Sequence, residues 1–236
     1  MLTRGPAHTV VAVAALALVV IGCSMSVDIG AGTAKPSVLR YVALGDSYTI
    51  GTSVSVAERF PDQLVAALGP EAPTLQLVAN LGVNGHTSAD LVRDELPALA
   101  DLDPEFVTVL IGVNDVVQGV PLETYEGNVT TILDALLARL PADRILAVAI
   151  PDYTVTPAGA DYGDPERQHD RIVANNAVME RLARDRGIAY VDIFDLSLRA
   201  ANERALVADD GLHPSGAQYG LWVERILPVV EGLIGP

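Results

Sequence analysis

The chain has 236 residues, a formal net charge of −15 and a single cysteine. So negative a surface repels nucleic acid and anionic lipid, and we therefore expect no nucleic-acid partner. One cysteine excludes an internal disulfide framework and a cysteine-based zinc site, so an ordinary hydrophobic core must hold the fold together.

The first 37 residues are typical of an export signal followed by a tether. Arg4 precedes an apolar run over residues 10–21, which predicts a signal peptide over residues 1–22 and is too short for a membrane span. The residues ending at Cys23 resemble the lipobox of bacterial lipoproteins, in which the cysteine is lipidated; an ordinary secreted protein is the alternative. Residues 23–37, rich in small residues, predict a flexible tether. We expect an exported protein, bound to the cell envelope by a lipid anchor or otherwise secreted.

Residues 38–236 predict one domain in which strands alternate with helices. The predicted strands are Leu39–Leu44, Leu75–Ala79, Phe106–Ile111, Ile145–Ile150 and Ile188–Ile193. The predicted helices are Ala57–Leu68, Ser88–Leu96, Leu122–Leu140, Glu166–Arg186, Leu196–Ala205 and Ser215–Leu233. This alternation implies a mainly parallel five-stranded sheet covered on both faces, which is a doubly wound three-layer α/β/α sandwich.

Polar turns follow the first three predicted strands, and a fourth polar cluster precedes the last helix. In an open α/β sheet, catalytic groups gather at the carboxyl ends of the strands. Ser47 ends the first strand, where its hydroxyl could act as a nucleophile or merely cap the next helix. Serine hydrolysis also needs a base, a group that orients the base and donors for an oxyanion.

Four sequence blocks together resemble the SGNH, or GDSL, hydrolase family. In chain order they are Gly45-Asp46-Ser47, Asn80 to Gly85, Gly112-Val113-Asn114-Asp115 and Asp210-Gly211-Leu212-His213. The resemblance implies a flavodoxin-like fold in which Ser47 is the nucleophile and His213 is the base. Asp210 would orient His213, with Asp209 as an alternative.

The same resemblance implies an oxyanion hole made by the N–H groups of Ser47 and Gly85 and by the side-chain amide of Asn114. Gly82 is the runner-up for the position of Gly85. Tyr48 follows the nucleophile where the family name implies leucine, and we expect no chemical role for it.

Three further residues are candidates for substrate binding: Asp46, His86 and Tyr153. Asp46 could instead tie down its loop, and His86 could be a surface turn residue. His169 lies on a charged face of a predicted helix and is expected to be solvated. The acidic stretches lack ligand-like histidines and no phosphate-binding glycine loop is present, so we expect neither a metal nor a cofactor.

These residues predict a serine esterase that hydrolyses carboxylic esters with short acyl groups, since nothing in the sequence forces an extended apolar tunnel. One alternative is a deacylase or acyltransferase acting on acylated envelope polysaccharide or lysophospholipid. Another is a non-catalytic binding lipoprotein of the envelope. No obligate protein partner is evident.

Overall fold

The structure, a computed structural model, describes residues 1–3, 5, 38–69 and 73–235. Most of the predicted signal peptide lies outside these residues. The predicted lipidation site at Cys23 and the predicted tether lie outside them as well. In the part of the chain that is described, no helix combines the length and apolarity that crossing a membrane requires. Contacts between residues divide the chain into Met1–Ala34 and Lys35–Pro236, and the second unit contains every element named below.

Five parallel strands form the centre of the second unit. They are β1 (Val38–Gly45), β2 (Thr74–Asn80), β3 (Phe106–Leu110), β4 (Ile145–Val148) and β5 (Ala189–Val191). Their order across the sheet is β2-β1-β3-β4-β5, and every neighbouring pair is parallel. The predicted α/β fold with a five-stranded parallel sheet is therefore confirmed.

Helices cover both faces of this sheet. The α-helices are α1 (Ser47–Ile50), α2 (Phe60–Ala67), α3 (Ser88–Asp90), α4 (Leu96–Leu102), α5 (Val113–Val117), α6 (Leu122–Leu137), α7 (Pro165–Asp185), α8 (Phe194–Leu198) and α9 (Gly216–Ile234). A π-helical turn, Leu91–Glu95, joins α3 to α4. Short 3-10 turns lie at Val56–Glu58, Ala142–Arg144, Gly159–Tyr162, Arg199–Ala201 and Arg204–Leu206.

The alternation of side chains along β1 divides the core into two layers. Tyr41 and Ala43 belong to the cluster that contains Trp222 of α9 and the buried residues of α2. Val42 and Leu44 belong to the cluster on the opposite face, with buried residues of α4, α6 and α7. Because successive side chains of a strand point to opposite faces, a continuous apolar strand such as β1 must be covered on both sides.

Several predicted boundaries differ from those observed, for local reasons. Pro97 lacks the N–H that would continue a regular helical ladder, and the helix predicted from Ser88 is interrupted by the π-helical turn before it restarts in α4. β4 ends before Ile150, whose backbone N–H and carbonyl both bond instead to the side-chain amide of Asn176. The single helix predicted near residues 196–205 is α8 followed by two 3-10 turns.

The strand order places β1 between β2 and β3, so the chain winds away from β1 in both directions. At such a switch point the loops separate and leave a crevice at the carboxyl ends of the strands. The turns after β1, β2 and β3 border this crevice, and they carry three of the four sequence blocks.

Candidate active site

The turn after β1 presents Ser47 to the crevice. Asp46 caps α1 by accepting the N–H of Tyr48 on its carboxylate at 3.0 Å, so Ser47 is the first residue of the helix rather than its cap. Gly45 has a φ of +150°, and a Cβ there would collide with the carbonyl oxygen of Leu110. Glycine therefore lets β1 and β3 approach closely just before the serine. The hydroxyl of Ser47 is left available for chemistry.

His213 lies between Ser47 and Asp210. Its Nε2 is 2.9 Å from the Oγ of Ser47, and its Nδ1 is 2.6 Å from Oδ2 of Asp210. Ser47 precedes His213 by 166 residues, so the fold alone brings them together. A hydroxyl, an imidazole and a carboxylate connected in this order form the arrangement by which a serine is activated for nucleophilic attack.

The carboxylate of Asp210 is saturated with hydrogen bonds. Oδ1 accepts the backbone N–H groups of Leu212 and His213, and Oδ2 accepts the hydroxyl of Ser53 as well as the His213 ring. Partial burial alone would raise the pKa of Asp210, but these donors outweigh burial and hold the pKa below its ordinary value. The ring of His213 contacts Asp210 and not the neighbouring Asp209, so Asp210 is the acid that the geometry pairs with His213.

Tyr48 packs against the imidazole of His213. The two ring centroids are 5.3 Å apart, and Tyr48 is only 3% exposed. The hydroxyl of Tyr219 in α9 donates to the carbonyl of Tyr48 at 2.9 Å. Tyr48 thus packs against the imidazole and restricts its orientation, a role that its sequence position did not indicate.

Of the two glycines considered for the oxyanion hole, only Gly85 lines the cavity beside Ser47. The N–H of Gly82 already donates to the side chain of Asn80 at 3.1 Å, and a Cβ at Gly82 would lie 2.7 Å from the backbone nitrogen of Ile50. Gly82 is therefore a packing glycine. The N–H of Gly85 makes no hydrogen bond to any described residue, which leaves it free for a ligand.

Asn114 reaches the same cavity from the first turn of α5. Its Nδ2 donates to the carbonyl of His86 at 2.9 Å, and because an amide nitrogen carries two protons, one remains for another acceptor. The next residue, Asp115, is fully buried and accepts the N–H of Ser88 at 2.8 Å. These bonds fix the start of α5 against the loop that follows β2.

A cavity of about 220 Å³ opens beside Ser47 and His213. Its apolar walls include Tyr153 and Tyr162, which meet edge to face at 6.1 Å. The hydroxyl of Tyr153 donates to Gln168, whose amide nitrogen in turn donates to the carbonyl of Tyr162. The wall is thus tied to α7.

Of the three residues predicted to bind substrate, only Tyr153 lines this cavity. The carboxylate of Asp46 is fully buried as the cap of α1. The ring of His86 turns away to Glu95, with Nδ1 3.0 Å from Oε1. Asp46 and His86 therefore do not line the cavity, and their side chains instead bond to the elements that surround it.

Burial and neighbouring groups set the environments of His169 and Asp46, and His169 differs from the expectation of a solvated side chain. His169 is only partly solvated, since its Nδ1 lies 2.6 Å from the buried carboxylate of Asp152. Burial, together with the charge of Asp115, raises the pKa of Asp46 to about 7, against the lowering effect of the Tyr48 N–H. Over the described residues, no group of three or more histidine, cysteine, aspartate or glutamate side chains is placed to hold a metal ion.

The model of the GDSL-like Lipase/Acylhydrolase family matches residues 43–221, which include all four sequence blocks. The chain belongs to this family. It is therefore a member of a hydrolase family, and the fold agrees with that assignment. A comparison with curated proteins finds no match.

Several solved enzyme structures share this fold. A lipase/acylhydrolase from Enterococcus faecalis is 22% identical, with a TM-score of 0.66 over 84% of this chain and 98% of that one. Axe2, an acetylxylan esterase from Geobacillus stearothermophilus, is 19% identical, with a TM-score of 0.65 over 83% and 96%. The esterase EstA from Pseudoalteromonas sp., in a structure inhibited by monoethylphosphonate, is 18% identical, with a TM-score of 0.60 over 82% and 97%. Identities this low establish the shared fold alone.

Proposed function

We propose that the protein is a serine esterase that hydrolyses carboxylic esters with Ser47 as nucleophile. The observation that carries the proposal is the continuous chain from Ser47 Oγ through His213 to the Asp210 carboxylate, with distances of 2.9 Å and 2.6 Å. Membership of a lipase and acylhydrolase family supports the same chemistry.

In this reaction the Oγ of Ser47 attacks the ester carbonyl carbon while Nε2 of His213 accepts the hydroxyl proton. The carbonyl oxygen becomes negatively charged, and the N–H groups of Ser47 and Gly85 and the amide of Asn114 donate to it. As the intermediate collapses, the C–O bond to the alcohol breaks and His213 returns the proton to the leaving oxygen. A water molecule then attacks the carbonyl carbon of the acyl-enzyme while His213 accepts its proton. The bond to Ser47 breaks, His213 returns the proton to the Oγ of Ser47, and the carboxylic acid is released.

The acyl group is proposed to be short. A cavity of about 220 Å³ is smaller than the roughly 300–1,000 Å³ of pockets that enclose drug-sized ligands. Tyr153 and Tyr162 close one side of it, and Gln168 accepts the hydroxyl of Tyr153 and donates to the backbone carbonyl of Tyr162. An acetyl group fits the same space, so removal of acetyl groups from a polysaccharide is the second candidate.

Labelling with an alkyl phosphonate tests the nucleophile directly, because the reagent forms a stable bond only to an activated serine. We expect one phosphonyl group per wild-type chain, located on Ser47 by peptide mass spectrometry, and none on Ser47→Ala. The Ser47→Ala protein should retain the wild-type melting temperature, since the bonds that close α1 use the backbone carbonyl of Ser47 and, among the described residues, the hydroxyl contacts only His213. A wild-type protein that is neither labelled nor active on aryl acetate or butyrate would instead be a non-catalytic binding protein.

We also propose that the protein is exported and anchored to the envelope through a lipid on Cys23, on the basis of the lipobox resemblance of the sequence. Expressed at full length in a bacterial host, the wild type should partition into detergent and carry an acyl mass on its N-terminal peptide. Cys23→Ala should appear in the aqueous phase without that mass. A wild-type product that is aqueous and unmodified would contradict the anchor.

A further inference from the structure

Glu95 is a buried carboxyl group outside the triad. It is only 2% exposed, and it ends the π-helical turn Leu91–Glu95. Turns of this kind are rare and occur frequently at functional sites. An apolar side chain would fill a buried position at a lower desolvation cost, so the contacts of this carboxyl group need an explanation.

The two oxygens of Glu95 connect two of the turns that form the active site. Oε2 accepts the N–H of Gly45 at 2.9 Å, two residues before the nucleophile. Oε1 lies 3.0 Å from Nδ1 of His86, directly after the oxyanion-hole glycine. One side chain therefore ties the end of β1 to the loop that follows β2.

His86 carries this connection to the third turn. Its N–H donates to the carbonyl of Val83 at 3.1 Å, and its own carbonyl accepts the amide of Asn114 at 2.9 Å. With its ring held by Glu95, His86 is fixed at three points. Because one N–H of the Asn114 amide is bonded to the His86 carbonyl, the position of that carbonyl sets the direction of the second N–H.

The charges around Glu95 favour an uncharged carboxyl group. Burial, the largest effect, raises its pKa to about 8, and the carboxylates of Asp46, Asp94 and Asp90 raise it further, while the Gly45 N–H acts against them. Asp94 also lies 3.8 Å from Nε2 of His86. A neutral group with one donor and one acceptor can satisfy both Gly45 and His86, and a glutamine side chain offers the same pair.

We infer, given the proposed esterase function, that Glu95 is a positioning residue for the oxyanion hole and acts through His86 on Asn114. It does not touch the substrate. Its part is to hold the His86 carbonyl so that the free proton of the Asn114 amide points at the forming oxyanion.

A double-mutant cycle on a short aryl ester tests this inference. We expect Glu95→Ala to lower kcat about tenfold and to change KM less than about twofold, because the interaction that is lost acts in the transition state. In an Asn114→Ala background, the same substitution should lower kcat less than about threefold, since residues acting through one another are non-additive. His86→Ala should repeat both results, and as His86 is a partly exposed loop residue, it supplies the test if Glu95→Ala does not fold.

Two matched variants separate positioning from simple loss of stability. Glu95→Gln preserves both contacts, and we expect it to restore kcat to within about threefold of wild type. Leu99→Ala removes an apolar side chain that is 1% exposed in the following helix and cannot make the hydrogen bonds of Glu95; it should lower the melting temperature and leave kcat unchanged.

Equal losses of kcat from Glu95→Ala in the wild-type and Asn114→Ala backgrounds would overturn the inference while leaving the esterase proposal intact. So would a Leu99→Ala variant that loses as much kcat as Glu95→Ala at a matched loss of stability. A wild-type protein with no ester hydrolysis and no phosphonate label would overturn both proposals at once.

Discussion

The hydroxyl of Ser53 donates to Oδ2 of Asp210 at 2.6 Å, across 157 residues of sequence. Ser53 is one of two described residues other than glycine with a positive φ, here +66°. A backbone in this region is costly for a residue with a Cβ and is retained where the surroundings hold it. The loop after α1 thus adopts a strained backbone at the residue whose hydroxyl donates to Asp210.

Replacing Ser53 tests whether this hydrogen bond supports the triad. Ser53→Ala removes the donor and keeps the strained backbone, whereas Ser53→Gly removes the donor and relieves the strain. We expect both to lower kcat by roughly threefold to tenfold with KM unchanged, because a donor to a charged group is lost. Only Ser53→Gly should regain stability, seen as a higher melting temperature than that of Ser53→Ala. Wild-type kcat in both variants would show that Asp210 does not need the bond.

Tyr162 is expected to limit the acyl chain. Its ring lines the cavity, is 43% exposed and packs edge to face on Tyr153. Tyr162→Ala should widen the cavity, so that kcat/KM across a series of aryl esters from acetate to decanoate shifts toward longer chains. Val173, exposed to a similar 45% on α7, does not line the cavity, and Val173→Ala should keep the wild-type profile. An unchanged profile in Tyr162→Ala would place the limit elsewhere.

The sequence was sufficient for the fold class because its apolar runs are strand-length and alternate with amphipathic helices. β1 illustrates this: Tyr41 to Leu44 are all fully buried, as a two-sided strand requires. Boundaries were less predictable where a side chain from a distant element interferes. The side-chain amide of Asn176 bonds to both backbone groups of Ile150 and thereby ends β4. The residues around Ile150 in the sequence do not predict this contact.

The site residues that could be predicted are polar side chains within short sequence motifs at turns. The structure brings three of them, Ser47, His213 and Asp210, together. The supporting contacts could not be predicted in the same way. Glu95, Ser53 and Tyr48 act through contacts with elements far away in sequence or through packing, which no local pattern encodes. For Glu95, the only local signal is an acidic residue at helical spacing between Leu91 and Leu99, both of which are buried.

The pH dependence of stability should report the buried carboxyl groups. Burial raises the pKa of Asp46 to about 7 and that of Glu95 to about 8. In the unfolded chain the pKa values of these side chains are about 3.9 and 4.3. Between these limits the folded protein binds more protons than the unfolded chain, so the free energy of unfolding falls as pH rises from about 4 to 8. Asp210, whose pKa is lowered, acts oppositely and loses its contribution only as pH falls below about 3.9.

We therefore expect the melting temperature to fall from pH 5 to pH 8.5, and Glu95→Gln to flatten that slope by removing one titrating group. Asp134→Asn is the matched control. It also removes one carboxylate from a chain of net charge −15, but a hydrogen bond from Arg186 lowers the pKa of Asp134, so its loss should leave the slope in this range unchanged. Identical slopes in all three proteins would show that Glu95 does not titrate there.

Asn114 offers the most direct test of the oxyanion hole, because the other two donors are backbone N–H groups that substitution cannot remove. Its amide lies at the same cavity as Ser47 and Gly85, and its bond to the His86 carbonyl sets the direction of the remaining proton. Losing one such donor costs about 10²–10³ in kcat. We expect Asn114→Ala to show a loss of that size, measured on a short aryl ester. KM should change much less, because the bond strengthens as the charge develops.

Two comparisons sharpen this prediction. Asn114→Asp should be at least as harmful, since it places a carboxylate against the forming negative charge. Gln118, at the far end of the same short helix, donates its amide to the Gly85 carbonyl at 3.3 Å but does not line the cavity, so Gln118→Ala should keep kcat within about threefold of wild type. If Asn114→Ala raised only KM, the residue would position the substrate. If it changed neither constant, the amide would serve only to hold the turn after β3 against the His86 carbonyl.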